Sequence, residues 1–190
     1  MSSVSFQNLS NHFLISMPRM VDPSFTETLT LICEHSGEGA LGIVVNRPTT
    51  ISVGEVFRQI GIAGYNHKSG NEQPVYSGGP VAQERGFVLN SGEMLWDSCL
   101  TISEGIQLTT SSDILIAIAD NKGPGSSLVA LGYAGWGAGQ LEQELSANAW
   151  LICDASPSII FNTPCHLRLK AAANSLGINL NLISDQVGHA

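Results

Sequence analysis

Charge is scarce in this sequence. Of 190 residues, 8 are Lys or Arg and 16 are Asp or Glu, so charged side chains make up 13%, about half the share in a typical soluble domain. The bases are scattered: Arg19, Arg47, Arg58, Lys68, Arg85, Lys122, Arg168 and Lys170 form no patch. A net charge of −8 without a basic stripe argues against direct contact with nucleic acid and offers nothing to an anionic membrane surface. Long apolar runs are missing too. None approaches the ~18 residues of a membrane span, and Phe13-Leu14-Ile15 is too short for a secretory signal, with the first base only at Arg19. Cysteine is sparse and unpatterned. Cys33, Cys99, Cys153 and Cys165 form no C-x-x-C pair, which excludes a disulfide framework and points to a reducing, cytoplasmic compartment. What remains plentiful is apolar residues, at 43%, and glycine, at 20 residues. That combination predicts one domain with a large core and tight turns.

The usual catalytic signatures are also lacking. No Gly-Lys-Ser/Thr occurs, so there is no phosphate-binding loop of the Walker type. Gly135-Trp136-Gly137-Ala138-Gly139-Gln140 fails G-x-G-x-x-G at its last position, and Gly123-Pro124-Gly125 fails it at Leu128. G-x-S-x-G and H-E-x-x-H are absent. His12, His35, His67, His166 and His189 are isolated from one another, so no metal site and no cofactor is expected.

Periodicity supplies the elements. Residues 12–17 read as a strand ended by Pro18. Residues 28–35 alternate, with Leu29, Leu31, Cys33 and His35 on one side. After a turn at Ser36-Gly37-Glu38-Gly39, residues 40–45 are nearly all apolar, as in a strand covered on both faces, and the pair reads as a hairpin. Ser52-x-x-Glu55 is a capping box before a helix stopped by Gly61, and a polar loop over residues 62–74 follows. Short strands are expected at 87–89, 99–103, 106–110, 128–131 and 150–153. Residues 113–120 read as a helix capped by Ser111 or Ser112, with a strand as the rival. Residues 137–149 read as an amphipathic helix. Ser156-Pro157 and Thr163-Pro164 each place a cap residue before a Pro at the first helical position, predicting two more helices, the second ending near Gly177. Taken together this is an α+β chain.

Three constellations carry candidate chemistry. Cys33-Glu34-His35 offers a thiol, a carboxylate and an imidazole, but alternation points Glu34 away from its neighbours; a core cysteine and a histidine at the strand end is the favoured reading. Asn46-Arg47-Pro48 ends the buried strand, where Pro48 stops pairing and Arg47 meets either an internal carboxylate or an external anion. In Gly132-Tyr133-Ala134-Gly135-Trp136-Gly137-Ala138-Gly139-Gln140 a strand runs through glycines into a helix, either as an anion-accepting turn or as a tight turn over a packed Trp136.

These residues also carry a resemblance. His12-Phe13-Leu14-Ile15-Ser16-Met17-Pro18, Gly39-Ala40-Leu41-Gly42-Ile43-Val44-Val45-Asn46-Arg47-Pro48, Gly78-Gly79-Pro80-Val81, Arg85-Gly86-Phe87-Val88-Leu89, Leu131-Gly132-Tyr133-Ala134-Gly135-Trp136, Gly139-Gln140-Leu141-Glu142 and Gly188-His189-Ala190, in this order and spacing, resemble the bacterial YqgE/AlgH family from His12 to Ala190. The resemblance implies a cytoplasmic α+β protein built round a barrel-like mixed, largely antiparallel sheet with helices packed on its outside. It brings no established reaction. The name of some members implies transcriptional regulation, which the charge pattern would make indirect. The family's recurrent polar residues match Glu34, His35, Asn46, Arg47, Arg85, Tyr133 and Gln140, at strand ends and turns where sites are usually built; Gly135 joins them as part of the glycine turn.

Two functions compete at this level. One is a binding or regulatory module with a small polar pocket for a small molecule or peptide, with a monomer as the favoured state. The other is an enzyme using His35 and Glu34 as acid and base beside Arg47. A further expectation is that Arg47 and the turn at 135–140 form one anion site. Whether His35, Arg47 and Tyr133 line one pocket discriminates among these readings.

Overall fold

The computed structural model describes residues 7–62, 72–92 and 94–180. Most of the loop expected at 62–74, and the Gly188-His189-Ala190 motif, lie outside the described residues. The strands are β1 (His12–Ser16), β2 (Leu29–Ser36), β3 (Gly39–Val44), β4 (Pro48–Ser52), β5 (Pro74–Ser77), β6 (Val81–Asn90), β7 (Cys99–Ser103), β8 (Ile106–Thr109), β9 (Ser127–Gly137) and β10 (Trp150–Asp154). The helices are α1 (Val53–Gln59), α2 (Asp113–Ala119), α3 (Gln140–Ser146), α4 (Pro157–Phe161) and α5 (Cys165–Ser175). The main sheet runs β10-β1-β2-β3-β9-β6-β8-β7 and curls into a half-barrel. Its pairings are antiparallel except where β5 runs parallel to β9, so the sheet is mixed and largely antiparallel, as expected.

Alternation along the strands sorts the apolar residues into three cores. The inner one collects Phe13, Ile15, Leu29, Leu31, Ile43, Phe87, Leu89, Ile106 and Leu128, with Ile160 of α4 and Ala172 and Ala173 of α5 against them. On the outer face, Leu14, Ile32, Ala134, Trp136 and Trp150 pack under α3 with Leu141. Farther along that face, Val53 and Phe57 of α1 and Ile114 and Ala119 of α2 cover Val75, Val88 and Val129. Helices α1, α2 and α3 thus lie outside the sheet as foreseen, whereas α4 and α5 close the inner core. Arg168 ties α5 down: it is 7% exposed, its guanidinium donates to the carbonyls of Val45 and Thr163, and it lies 5.1 Å from the Tyr76 ring.

Several local expectations change. The strand expected over 128–131 continues to Gly137, and the helix expected over 137–149 shortens to α3. Glycine is the cause. Where β9 crosses residues 78–79 the backbones nearly touch: a Cβ at Gly79 would stand 2.1 Å from the Tyr133 carbonyl carbon, and Gly132 takes φ +76°. Past this crossing β9 pairs with β3, Gly135 opposite Leu41 and Gly137 opposite Gly39. β3 already ends at Val44, and Pro48, expected to stop pairing, instead opens β4 and pairs with Tyr76, as a proline can at the first residue of a strand. Residues 113–119 are helical, yet Ser112 makes no capping bond and Ser111 instead donates to Asp113. Pro164, not Thr163, stands at the N-cap position of α5, without a side-chain capping bond, and the Thr163 hydroxyl donates to the Ser158 carbonyl. The Ser52–Glu55 capping box forms as read.

Candidate functional site

One irregularity in β2 decides where the first constellation points. Ile32 pairs with Gly42, but the next pair is Glu34 with Leu41, so Cys33 is an extra residue in a β-bulge. A bulge advances the strand by one residue and exchanges its faces. Cys33 keeps the side of Leu29 and Leu31 and faces the inner core, as expected, and burial there pushes its thiol far above the ordinary range. His35, expected on the same side, turns to the outer face instead.

There His35 is enclosed, its side chain 1% exposed. The Leu9 amide donates to Nδ1 over 3.0 Å, which assigns the ring proton to Nε2, and Nε2 meets Glu142 Oε1 at 3.0 Å. The partner of His35 is thus Glu142 on α3, not Glu34. A second acid of the same helix, Glu144, accepts from the indole nitrogens of Trp136 and Trp150 at 2.9 and 2.8 Å, and from the Gln140 amide at 3.0 Å. At 100° per residue Glu142 and Glu144 flank the Leu141–Leu145 stripe on its two sides. Glu142 stood in the Gly139-Gln140-Leu141-Glu142 motif without being singled out as a site residue, and Glu144 was missed; their placement beside an apolar stripe near two tryptophans was the available signal.

Glu34, by contrast, is exposed and lines a cleft of about 480 Å³ at the β2–β3–β9 edge, with Glu38, Gly39, Leu41, Tyr133, Gly135 and Trp136. Two carboxylates rim this cleft and no base lines it. Tyr133 forms a wall, packed edge-on to Phe87 with centroids 5.6 Å apart, and Gly135 leaves its ring room: a Cβ there would come within 3.2 Å of it. Its acidic rim and aromatic wall are complementary to a positive charge.

The other expected site residues lie elsewhere. Asn46 links strands, accepting from the Leu29 amide at 2.8 Å and donating to the Glu27 carbonyl at 3.0 Å. Among the described residues Arg47 meets neither a carboxylate nor the glycine turn. Its guanidinium donates to the carbonyls of Pro23, Ser24 and Thr26 at 3.2, 2.7 and 2.9 Å beside a separate cavity of about 290 Å³. Gln140 closes the turn before α3, accepting from the Gly137 amide at 3.0 Å. Arg85 stands at a third cavity, between α1 and α2. Among the described residues His35 is sealed under α3, Tyr133 lines one cavity and Arg47 another, and the acid–base arrangement of His35 with Glu34 beside Arg47 is not assembled. Among the described residues no three metal-ligating side chains gather, and no helix is long and apolar enough to cross a membrane.

Comparison with known proteins agrees with this architecture. A family model described as AlgH-like matches residues 13–181. A UPF0301 protein of Pseudomonas fluorescens is 49% identical over 190 residues, covering all of both chains. One from Thiobacillus denitrificans is 51% identical over 183 residues, 96% of this chain and 98% of its own. The solution structure of the AlgH protein from Pseudomonas aeruginosa superposes with a TM-score of 0.80 at 47% identity over the whole of both chains. A crystal structure from Corynebacterium diphtheriae shares the fold at 20% identity, with a TM-score of 0.74 over 97% of this chain and 94% of that one. With its motifs, its half-barrel and a family model spanning most of its length in agreement, the chain belongs to the AlgH-like family, the YqgE/AlgH family of the resemblance.

Proposed function

We propose that this chain is a binding module with a regulatory role, not a catalyst, and that its ligand is a small molecule or peptide carrying a positive charge held in the Glu34–Glu38–Tyr133 cleft. The observation that carries this reading is the division of the polar residues. His35 is sealed under α3 with both ring nitrogens engaged, while Glu34 opens to the cleft, so a base and an acid do not converge on one reacting atom. Any transcriptional effect is indirect, exerted through a ligand or a protein partner, because the −8 charge and scattered bases oppose DNA contact. Apolar settings for Cys33 and Cys153 in the inner core support a cytoplasmic protein.

A thermal-shift screen of small metabolites and short peptides tests the cleft, since a ligand bound only by the folded chain raises its apparent stability. Stabilising hits should be cationic and should lose their effect in Glu34→Gln and Glu38→Gln, both changes at exposed positions. Hits indifferent to both substitutions, or consumed to a product, would overturn the reading. An anisotropy titration with duplex DNA at low salt should give no binding; micromolar affinity that collapses with added salt would contradict the indirect role.

A further inference from the structure

The cleft at the β2–β3–β9 edge has a shape as well as a charge. Residues directly opposite one another in neighbouring strands carry their side chains on one face. Glu34 stands opposite Leu41, and Leu41 opposite Gly135. Leu41 and Tyr133 both pack against the inner core. Past the bulge, then, Glu34 projects from the inner face of the half-barrel, the face that carries Tyr133. The next row holds Ser36, Gly39 and Gly137. Between the acidic rim and the tyrosine the floor is thus partly glycine, and at Gly39 and Gly135 no side chain rises from it.

That floor sets the pose of the aromatic wall. The Tyr133 ring leans over Gly135, and a Val81 methyl lies 3.9 Å from where a Cβ at that glycine would stand. Val81 itself is 38% exposed, apolar area at the mouth of the cleft. Among the described residues the ion pairs within 4.0 Å are those of His12 and His35, so neither Glu34 nor Glu38 is tied to a base.

We infer that the positive group this cleft accepts is a guanidinium, the class of arginine side chains and alkylguanidines. The inference rests on the reading of the cleft as a site for a positive charge and narrows it. A guanidinium is flat and weakly hydrated, so it lies on the Tyr133 ring while its N–H groups reach out in its own plane to Glu34 and Glu38. The floor without side chains leaves room for that plane. Its alkyl stem runs over Leu41 and Val81, as the stems of long cationic side chains do on apolar surface. An alkylammonium brings a compact, strongly hydrated charge that has no face to stack. A neutral urea has the flat shape and leaves both carboxylates without a counter-charge.

The test is an NMR titration of the isotope-labelled full chain with butylguanidinium, pentylammonium, butylurea and N-acetylargininamide. Butylguanidinium should give saturable shifts at Leu41, Tyr133 and Gly135, and its methylene beside the guanidinium should move upfield under the tyrosine ring. Pentylammonium and butylurea should each bind at least about tenfold more weakly. Glu34→Gln, at an exposed position, should weaken butylguanidinium by about fivefold or more. Tyr133→Leu should bring the two cations to within about twofold of each other. Tighter binding of N-acetylargininamide than of butylguanidinium assigns the group to a peptide, the reverse order to a free small molecule, and both orders uphold the guanidinium. Pentylammonium binding as tightly at the same residues would overturn the inference and leave the cationic reading standing. So would saturable butylguanidinium binding without the upfield shift, a readout that needs no variant. Butylurea binding as tightly, or no saturable shifts with either cation up to about 10 mM, would overturn both.

Discussion

Helices α2 and α3 are each seven residues long, lie on the same outer face of one sheet, and are held there by opposite means. Neither would persist alone in water, where helices shorter than ~12 residues are marginal. Helix α3 is fastened by polar contacts at a distance in sequence: Glu142 to His35, Glu144 to two indoles. Beneath it Phe25, Trp136 and Trp150 pack with centroids 5.5–6.1 Å apart. Helix α2 is fastened by aliphatic burial of Ile114 and Ala119 and by one local acid, Asp113. The difference shows in the polar residues. Around α3 the residues that look chemically interesting, His35, Trp136 and Gln140, are consumed in holding the helix. Around α1 and α2 the packing is aliphatic and leaves a cavity of about 430 Å³.

The largest effect should come from removing the aromatic centre of the α3 half. Trp136→Ala deletes a 5% exposed indole and a hydrogen bond to Glu144, and should lower the free energy of unfolding by about 3–5 kcal/mol, read from the urea midpoint. An unchanged midpoint would mean that α3 does not depend on its clasp. Next in size, Glu144→Ala leaves the indole donors of Trp136 and Trp150 without their acceptor, at a cost of about 1–3 kcal/mol. The same truncation at the exposed Gln59 of α1 should stay within about 0.5 kcal/mol. Equal losses at the two positions would erase the contrast between the halves.

Arg47→Gln comes third. Three carbonyls of the turn at 23–26 lose their cationic donor, and the loss should be about 1–2 kcal/mol, since the group is only half-buried and solvent replaces part of it. Chemical shift changes should be confined to residues 23–26. A phosphate titration that moves Gly135 in the wild type and not in this variant would instead join Arg47 to the glycine turn as one anion site.

The elements were more legible than the site, and particular residues say why. The capping box at Ser52 and Glu55 is local chemistry, readable within four residues, and it forms. The bulge at Cys33 is not local. It arises from pairing with β3, so strict alternation put His35 on the wrong face and hid its partner 107 positions away. Gly132 of β9 signalled close backbone approach correctly, and what approaches it is the 78–79 segment. Glu34, Tyr133 and Gly135 do share a cleft. Arg85 was singled out, but its guanidinium rests over Phe87 at the inner core; the cavity between α1 and α2 draws its lining from residues 51–131, and no short window of sequence contains that assembly.

The smallest effect, on the α2 side, is one of pH. Asp113 accepts from the Ser111 hydroxyl, the Asp97 amide and the Ile114 amide. Partial burial, the largest single influence on its carboxyl, acts upward, but these hydrogen bonds together outweigh it and hold the group below its ordinary value of 3.8. A carboxyl depressed in the folded state contributes stability that is fully present above its unfolded value and is lost as pH falls through the lower folded one. The urea midpoint should therefore drop on going below about pH 4, and Asp113→Asn should show a shallower drop over the same interval, with a slightly lower midpoint at neutral pH. Glu55 in the α1 capping box, depressed by the backbone and hydroxyl of Ser52, should behave alike in Glu55→Gln. Helix α3 has no such local cap: Gly139 stands at its N-cap with no side-chain bond. If Asp113→Asn and the wild type trace parallel curves below pH 4, α2 is held by its aliphatic face alone, and the two halves differ in packing but not in how their helices begin.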